Sequence, residues 1–267
     1  MTARIARIAR IQIARNAMSV VWRPLASVAA LIGVMEAAKA AGLLPVFVPA
    51  PSQVVGEIIN SPRLVYGSLG PTAWKASVGY AISAVVAVAA ASIAVLVRVL
   101  YAPIYNLGVM LHAIPIIATA PLLALWLGTG PQVQIAIAAL ASQFPMLVGT
   151  MQGLQVSDAR ERELMHILAA SRLQTLRYLL VPNALPYLFA GFKIAAPSAV
   201  LGAITAEWAG ADRGVGAMML YALFSYDTPK VWLSVLLTCL LAGGGYGLWA
   251  LIEQFAIRWN HDVDLAE

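Results

Sequence analysis

Apolar residues run along this chain in blocks of about twenty, separated by short polar or proline-rich breaks, and that rhythm predicts its elements. About 20 apolar residues cross the roughly 30 Å hydrocarbon layer as a helix. The blocks predict spans over Trp22 to Leu43, Trp74 to Val97, Pro103 to Leu127, Gln132 to Leu154, Ala184 to Ala206 and Val231 to Phe255. Backbone groups in lipid must pair within their own segment, and the ten-residue alternation of barrel strands is absent. The expected fold is therefore an all-α membrane protein of six transmembrane helices.

The breaks are equally informative. Three prolines in Leu44–Ser52 forbid a continuous helix, and Ser52 can cap a short one through Ile59. Pro115 and Pro121 should kink the third span, and Gly128-Thr129-Gly130-Pro131 reads as a tight turn. A polar loop is expected from Glu207 to Lys230, before the sixth span. Ser157 to Arg177 holds Asp158, Arg160, Glu161, Arg162, Glu163, His166, Arg172 and Arg177. At roughly 2.5 to 3.5 kcal/mol for each central Asp, Lys or Arg, this stretch must lie outside the bilayer. Asp158 with Glu161 forms a capping pattern, and Leu164, Ile167, Leu168, Leu173 and Leu176 recur near helical spacing, so an amphipathic helix is expected there. It could lie flat on the headgroups or dock a partner through its small cluster Ala169-Ala170-Ser171.

Composition agrees: 61% hydrophobic and 11% charged residues exclude an ordinary soluble domain, which carries about 25% charged residues. Residues 1–21 form a basic segment in which Arg4, Arg7, Arg10 and Arg15 alternate with isoleucines, suited to anionic lipid. A signal peptide ending near Ala38-Lys39-Ala40 is the competing reading. With both termini inside, eleven basic residues flank the spans on the cytoplasmic side against five outside. That places the loop 157–180 and the tail 256–267 in the cytoplasm. The net charge of +5 therefore reports topology, and no nucleic-acid partner is expected.

Candidate chemistry is sparse. Cys239 has no second cysteine, and three scattered histidines offer no metal site, so His112 reads as an interfacial or packing residue. No nucleophile–base pair and no phosphate-binding glycine loop occurs, so the chain is not expected to be an enzyme or to bind ATP by that device. Glu207 is either a gate or docking residue or a helix-end carboxylate in the headgroup zone. Pro115, Thr119 and Pro121 with Pro197, Ser198 and Thr205 could line a pathway, or the hydroxyls could simply pack helices. The Gly243-Gly244-Gly245 run with Gly247 suggests close helix packing or flexibility.

From Glu163 through Pro182 the chain resembles the cytoplasmic signature loop of ATP-binding-cassette (ABC) importer permeases. Glu163 falls on its glutamate, Ala169 on its glycine and Val181-Pro182 on its closing Leu-Pro, while Leu164-Met165 replace its two alanines. Pro49-Ala50-Pro51-Ser52, Ala113-Ile114-Pro115, Pro121 to Gly128, Ala184 to Gly191, Ala206-Glu207-Trp208 and Gly214-Val215-Gly216 are similar to the nitrate, sulfonate, taurine and bicarbonate members in order and spacing. The resemblance implies a homodimeric permease of the bacterial inner membrane. Its partners would be two cytoplasmic ATPase subunits, which bind the ATP and Mg, and an extracytoplasmic substrate-binding protein. Glu163, Ala169, Ala170, Ser171 and Arg172 would form the ATPase-coupling helix. A small oxyanion is the implied cargo, with a vitamin or pyrimidine precursor as the alternative. A secondary transporter would show internal repeats and buried coupling charges, neither of which the sequence displays.

Overall fold

A computed structural model describes residues 26–257. The basic segment 1–21, the first residues of the expected first span and the tail from 258 onward lie outside the described residues. Helix α1 is described over 26–40, followed by α2 (Pro51–Asn60), α3 (Pro62–Leu96), a 3-10 turn (Arg98–Leu100), α4 (Tyr101–Ala113) and α5 (Ile116–Leu127). Then come α6 (Pro131–Gly153), α7 (Ala159–Ile167), α8 (Arg172–Thr175), a π turn (Leu176–Leu180), α9 (Val181–Glu207), α10 (Val215–Phe224) and α11 (Thr228–Ala256). Among the described residues, four helices are long and apolar enough to cross a membrane, or five if the bent pair α4–α5 counts as one span.

The centre is α6 against α9, with α3 on α6, α11 on α9, and α4 and α5 flanking α6. Lipid is as apolar as leucine, so these helices are drawn together by close backbone approach rather than by burial from water. Glycines supply it. A Cβ on Gly191 would stand 2.6 Å from the Pro145 carbonyl oxygen, one on Gly149 2.8 Å from that of Tyr187, and one on Gly153 2.8 Å from that of Ala184. Gly79 brings α3 onto α6 in the same way, with the Ile135 carbonyl 2.6 Å from such a Cβ. The Gly243-Gly244-Gly245 run does not pack closely as a whole: Gly243, Gly244 and Gly247 face open space, and Gly245 alone would meet Ala196.

Four expected elements are corrected. The second span begins at Pro62, not Trp74; α3 runs 35 residues, about 50 Å at 1.5 Å per residue, and so outreaches the hydrocarbon layer. The third is not a kinked rod. It breaks between α4 and α5 with a bend of 94°, because Ile114, held extended before Pro115, ends α4. Pro121 interrupts nothing within α5. The polar loop after Glu207 contains the apolar helix α10, whose first turn is buried and whose end, at Leu223 and Phe224, is exposed. The charged stretch 157–180 is two pieces: α7 ends at Ile167, and the next helix starts at Arg172 and runs to Glu207 as one 36-residue rod through the π turn. That rod absorbs Pro182 and Pro186, whose missing N–H groups leave the turn before them free to widen.

Candidate functional site

Helix α7 stands at one end of the bundle, tied to it by polar straps. Asp158 caps it by accepting from the Ala159 N–H at 2.8 Å, while Glu161 accepts from the Asp158 N–H at 3.1 Å, the capping box read from the sequence. The same Glu161 carboxylate accepts from Asn183 Nδ2 at 2.8 Å, fastening α7 to the start of α9. Arg162 donates from Nε to the Ser157 hydroxyl at 2.5 Å and from its fork to the Gln155 carbonyl at 3.0 Å, fastening it to the end of α6. Met165 packs inward on the cluster that holds Met151, Leu176 and Leu180. No β-branched or glycine residue interrupts α7 before its last residue, Ile167, so it stays helical to the cap.

The end of α7 explains the signature position. The Ala170 N–H donates to the Met165 carbonyl and the Ala169 N–H to the His166 carbonyl, both at 3.0 Å, which is a Schellman closure. Its pivot, Ala169, has φ of +49°, in the left-handed region where a Cβ costs roughly 1–2 kcal/mol. Glycine fits there without that cost, which is the physical content of a glycine at this point of the loop. Ala169→Gly is expected to slow amide exchange across the last turn of α7 by roughly two- to five-fold, about 0.5–1 kcal/mol. Hydrogen exchange followed by mass spectrometry reads this directly, and faster exchange there would contradict the assignment. Ser171 then opens the next helix through a second capping box, donating its N–H to Gln174 Oε1 at 2.8 Å and accepting from the Gln174 N–H at 3.3 Å. Arg172 donates to the Leu96 carbonyl at 3.5 Å, and Glu163 is exposed.

Around Glu163 lies an apolar surface that none of the described residues covers: Leu164 is 53%, Ile167 74%, Leu168 65% and Leu173 67% exposed. Helix α7 and its turn therefore present a greasy knob held in place by polar straps.

The pathway candidates fall on two neighbouring helices. Ile194, Ser198, Leu201 and Thr205 share one stripe of α9, exposed or half-buried, and Pro197 adjoins it. Thr119 lies half-buried on α5 beside exposed Pro115 and Pro121, and α5 packs against α9. Each hydroxyl donates to its own helix, Ser198 to Ile194 at 3.1 Å, Thr205 to Leu201 at 2.8 Å and Thr119 to Pro115 at 3.0 Å, leaving oxygen lone pairs for that face. His112 stacks on Phe144 at 4.7 Å between ring centroids. Among the described residues no group of three or more metal-ligating side chains occurs.

Glu207 sits elsewhere, buried at the far end of α9. Its carboxylate takes Lys75 Nζ at 2.7 Å, the Thr72 hydroxyl at 2.7 Å and the Gly216 N–H at 2.7 Å. Lys75 also donates to the Arg213 carbonyl at 3.1 Å, and Thr72 accepts from the Val215 N–H at 2.8 Å. Gly214, at φ +142°, and Gly216 are held there because a side chain on either would collide with Glu207 or its helix. Lys75 and Thr72 escape a sequence reading because they are 132 and 135 positions away; their signal was one lysine and one threonine within the otherwise apolar run of α3. A second pair, Lys193 with Glu253 at 2.5 Å, joins α9 to α11.

The family model described as binding-protein-dependent transport system inner membrane component matches residues 79–254. The chain is 31% identical over 217 residues to a formylaminopyrimidine transport permease protein of Halalkalibacterium halodurans, covering 81% of this chain and 87% of that protein. It is 34% identical over 149 residues to a riboflavin transport system permease protein of Chloroflexus aurantiacus, 56% of each chain. With a Bacillus subtilis permease protein assigned to aliphatic sulfonates transport it shares 28% over 155 residues, 58% of this chain and 56% of that one.

Proposed function

Since this chain belongs to the family of binding-protein-dependent transport system inner membrane components, and is thus an ABC importer permease, we propose that α7 and its Ala169 turn receive the stroke of a separate ATPase. One observation carries this reading: the exposed apolar knob of Leu164, Ile167, Leu168 and Leu173 rides on a helix strapped to α6 and α9. A load applied to α7 passes through Glu161–Asn183 into the rod that ends at Glu207. Two copies of the chain would face each other across the α5–α9 stripe, with solute moving between them. The α7 end is cytoplasmic in this arrangement, as the excess of basic residues favours.

The cargo we favour is a small neutral heteroaromatic of the vitamin-precursor kind. Two relatives named for such solutes are 31% and 34% identical. The stripe offers hydroxyl oxygens and no unpaired cation, and Lys193 beside it is paired with Glu253. A desolvated oxyanion would need charge there that the stripe lacks. The sulfonate-type relative supports the alternative oxyanion cargo. The experiment is ATP-dependent uptake into proteoliposomes holding the chain with the ATPase that co-purifies with it and the binding protein encoded beside it. Formylaminopyrimidine or riboflavin should be taken up and taurine should not compete; uptake of taurine alone would reverse the assignment, and uptake without any ATPase would reject it.

A further inference from the structure

A recess of about 640 Å³ opens at the α7 end, between the end of α3, the start of α4, the end of α6 and α7. Volumes of this size are typical of small-molecule sites. Its composition is split. Ala94, Ala102, Leu154 and Leu180 line an apolar part, and Arg98 and Arg162 supply two guanidinium groups with no carboxylate among the lining residues. Arg98 makes no hydrogen bond or ion pair with any described side chain, and the bonds of Arg162 go to a hydroxyl and a carbonyl, both neutral. Tyr101 also lines the recess. Both arginines are exposed, and two cations lining one recess with no carboxylate in it attract an anion.

We propose that this recess is a phospholipid site, in which Arg98 and Arg162 hold the phosphate of an anionic headgroup and the apolar part takes the glycerol and first acyl carbons. The chemistry shared with free phosphate is the oxyanion; the apolar lining favours the lipid, because inorganic phosphate would leave it wet. The position agrees, since Arg98 sits in the turn that ends the apolar α3, where hydrocarbon gives way to headgroups. A lipid there would join the α3–α4 turn to α7 and to Thr175 of α8, so that headgroup charge acts on the same helix that carries the exposed knob. This site rests on the membrane placement alone and not on the coupling role of α7.

Native mass spectrometry of the full chain, purified in detergent and offered phosphatidylglycerol, phosphatidylcholine or inorganic phosphate, tests it. Phosphatidylglycerol should be retained over phosphatidylcholine, and Arg98→Gln should cut that preference about five-fold, the worth of one arginine near a charged surface. Arg98→Lys should keep most of it, and Arg177→Gln, outside the recess, should leave it unchanged. Equal retention of the two lipids, or a preference insensitive to Arg98→Gln, overturns the proposal. Displacement of the lipid preference by millimolar inorganic phosphate assigns the arginines to a free anion instead. If Arg98→Gln loses ATPase co-purification while lipid retention stands, the arginine belongs to a protein interface and the lipid site is rejected.

Discussion

Glu207→Ala is expected to cost about 3–5 kcal/mol of stability, the range for removing one partner of a buried ion pair. The loss comes from what stays behind. Lys75 remains buried with a carbonyl as its sole described partner, and the Gly216 N–H loses its acceptor. Thr72 keeps the Val215 N–H but has nowhere to donate except its own helix, at the Ser68 carbonyl. A large fall in the thermal midpoint of the detergent-solubilised protein reads this out. Glu207→Gln should fall between, since the amide can still accept from Gly216 but not neutralise Lys75. The double change Lys75→Met with Glu207→Gln should recover part of the loss, because the unpaired ammonium is then gone. A Glu207→Ala protein within about 1 kcal/mol of the parent would show that water reaches the site and that the pair is not sealed. Abolished uptake at an unchanged midpoint would return Glu207 to the role of gate.

The second large effect is on transport with the fold intact. Ile167→Asp places a charge on the most exposed apolar residue of α7, at the end of the helix and away from Met165, which packs inward. The thermal midpoint should stay within the range of ordinary surface substitutions, about 0.5 kcal/mol. ATPase co-purification and ATP-driven uptake should fall by about 30-fold or more, since a central apolar anchor in a protein interface is worth about 2 kcal/mol or more. Leu164→Asp, one turn earlier, should act the same way, and Val46→Asp, 91% exposed in the loop after α1, should change neither. Normal uptake in the Ile167 variant would detach α7 from the ATPase, leaving it a surface helix.

How much was legible depends on the range of the interaction that decides each feature. The capping box of Asp158 and Glu161 was readable because its members are three residues apart and bond each other whatever surrounds them. Pro115 was readable as a disturbance but not as a 94° break: a proline removes one bond, and the neighbours decide whether the helix bends or parts. At Ala169 the family pattern marks a glycine position, and the reason appears only with its backbone angle and the two closing hydrogen bonds. The glycine runs invert expectation. Gly243 to Gly245, the conspicuous cluster, mostly face open space, while scattered Gly149, Gly153 and Gly191 carry the central helix contact. Spacing along one helix does not say which face a second helix will choose.

Hydrophobic block length, proline punctuation and charge placement were enough, from the letters alone, to make this an α-helical membrane protein and to set 157–180 apart as a charged interruption of the apolar blocks. These are properties of a segment against its solvent, and solvent transfer sums residue by residue. The partners of Glu207, the splitting of that stretch into a strapped helix and a continuous rod, and the burial of the first turn of α10 depend on groups brought together from distant parts of the chain. A buried lysine is tolerated only opposite a carboxylate, and which carboxylate stands opposite is a fact of packing, settled when α3, α9 and α10 close on one another.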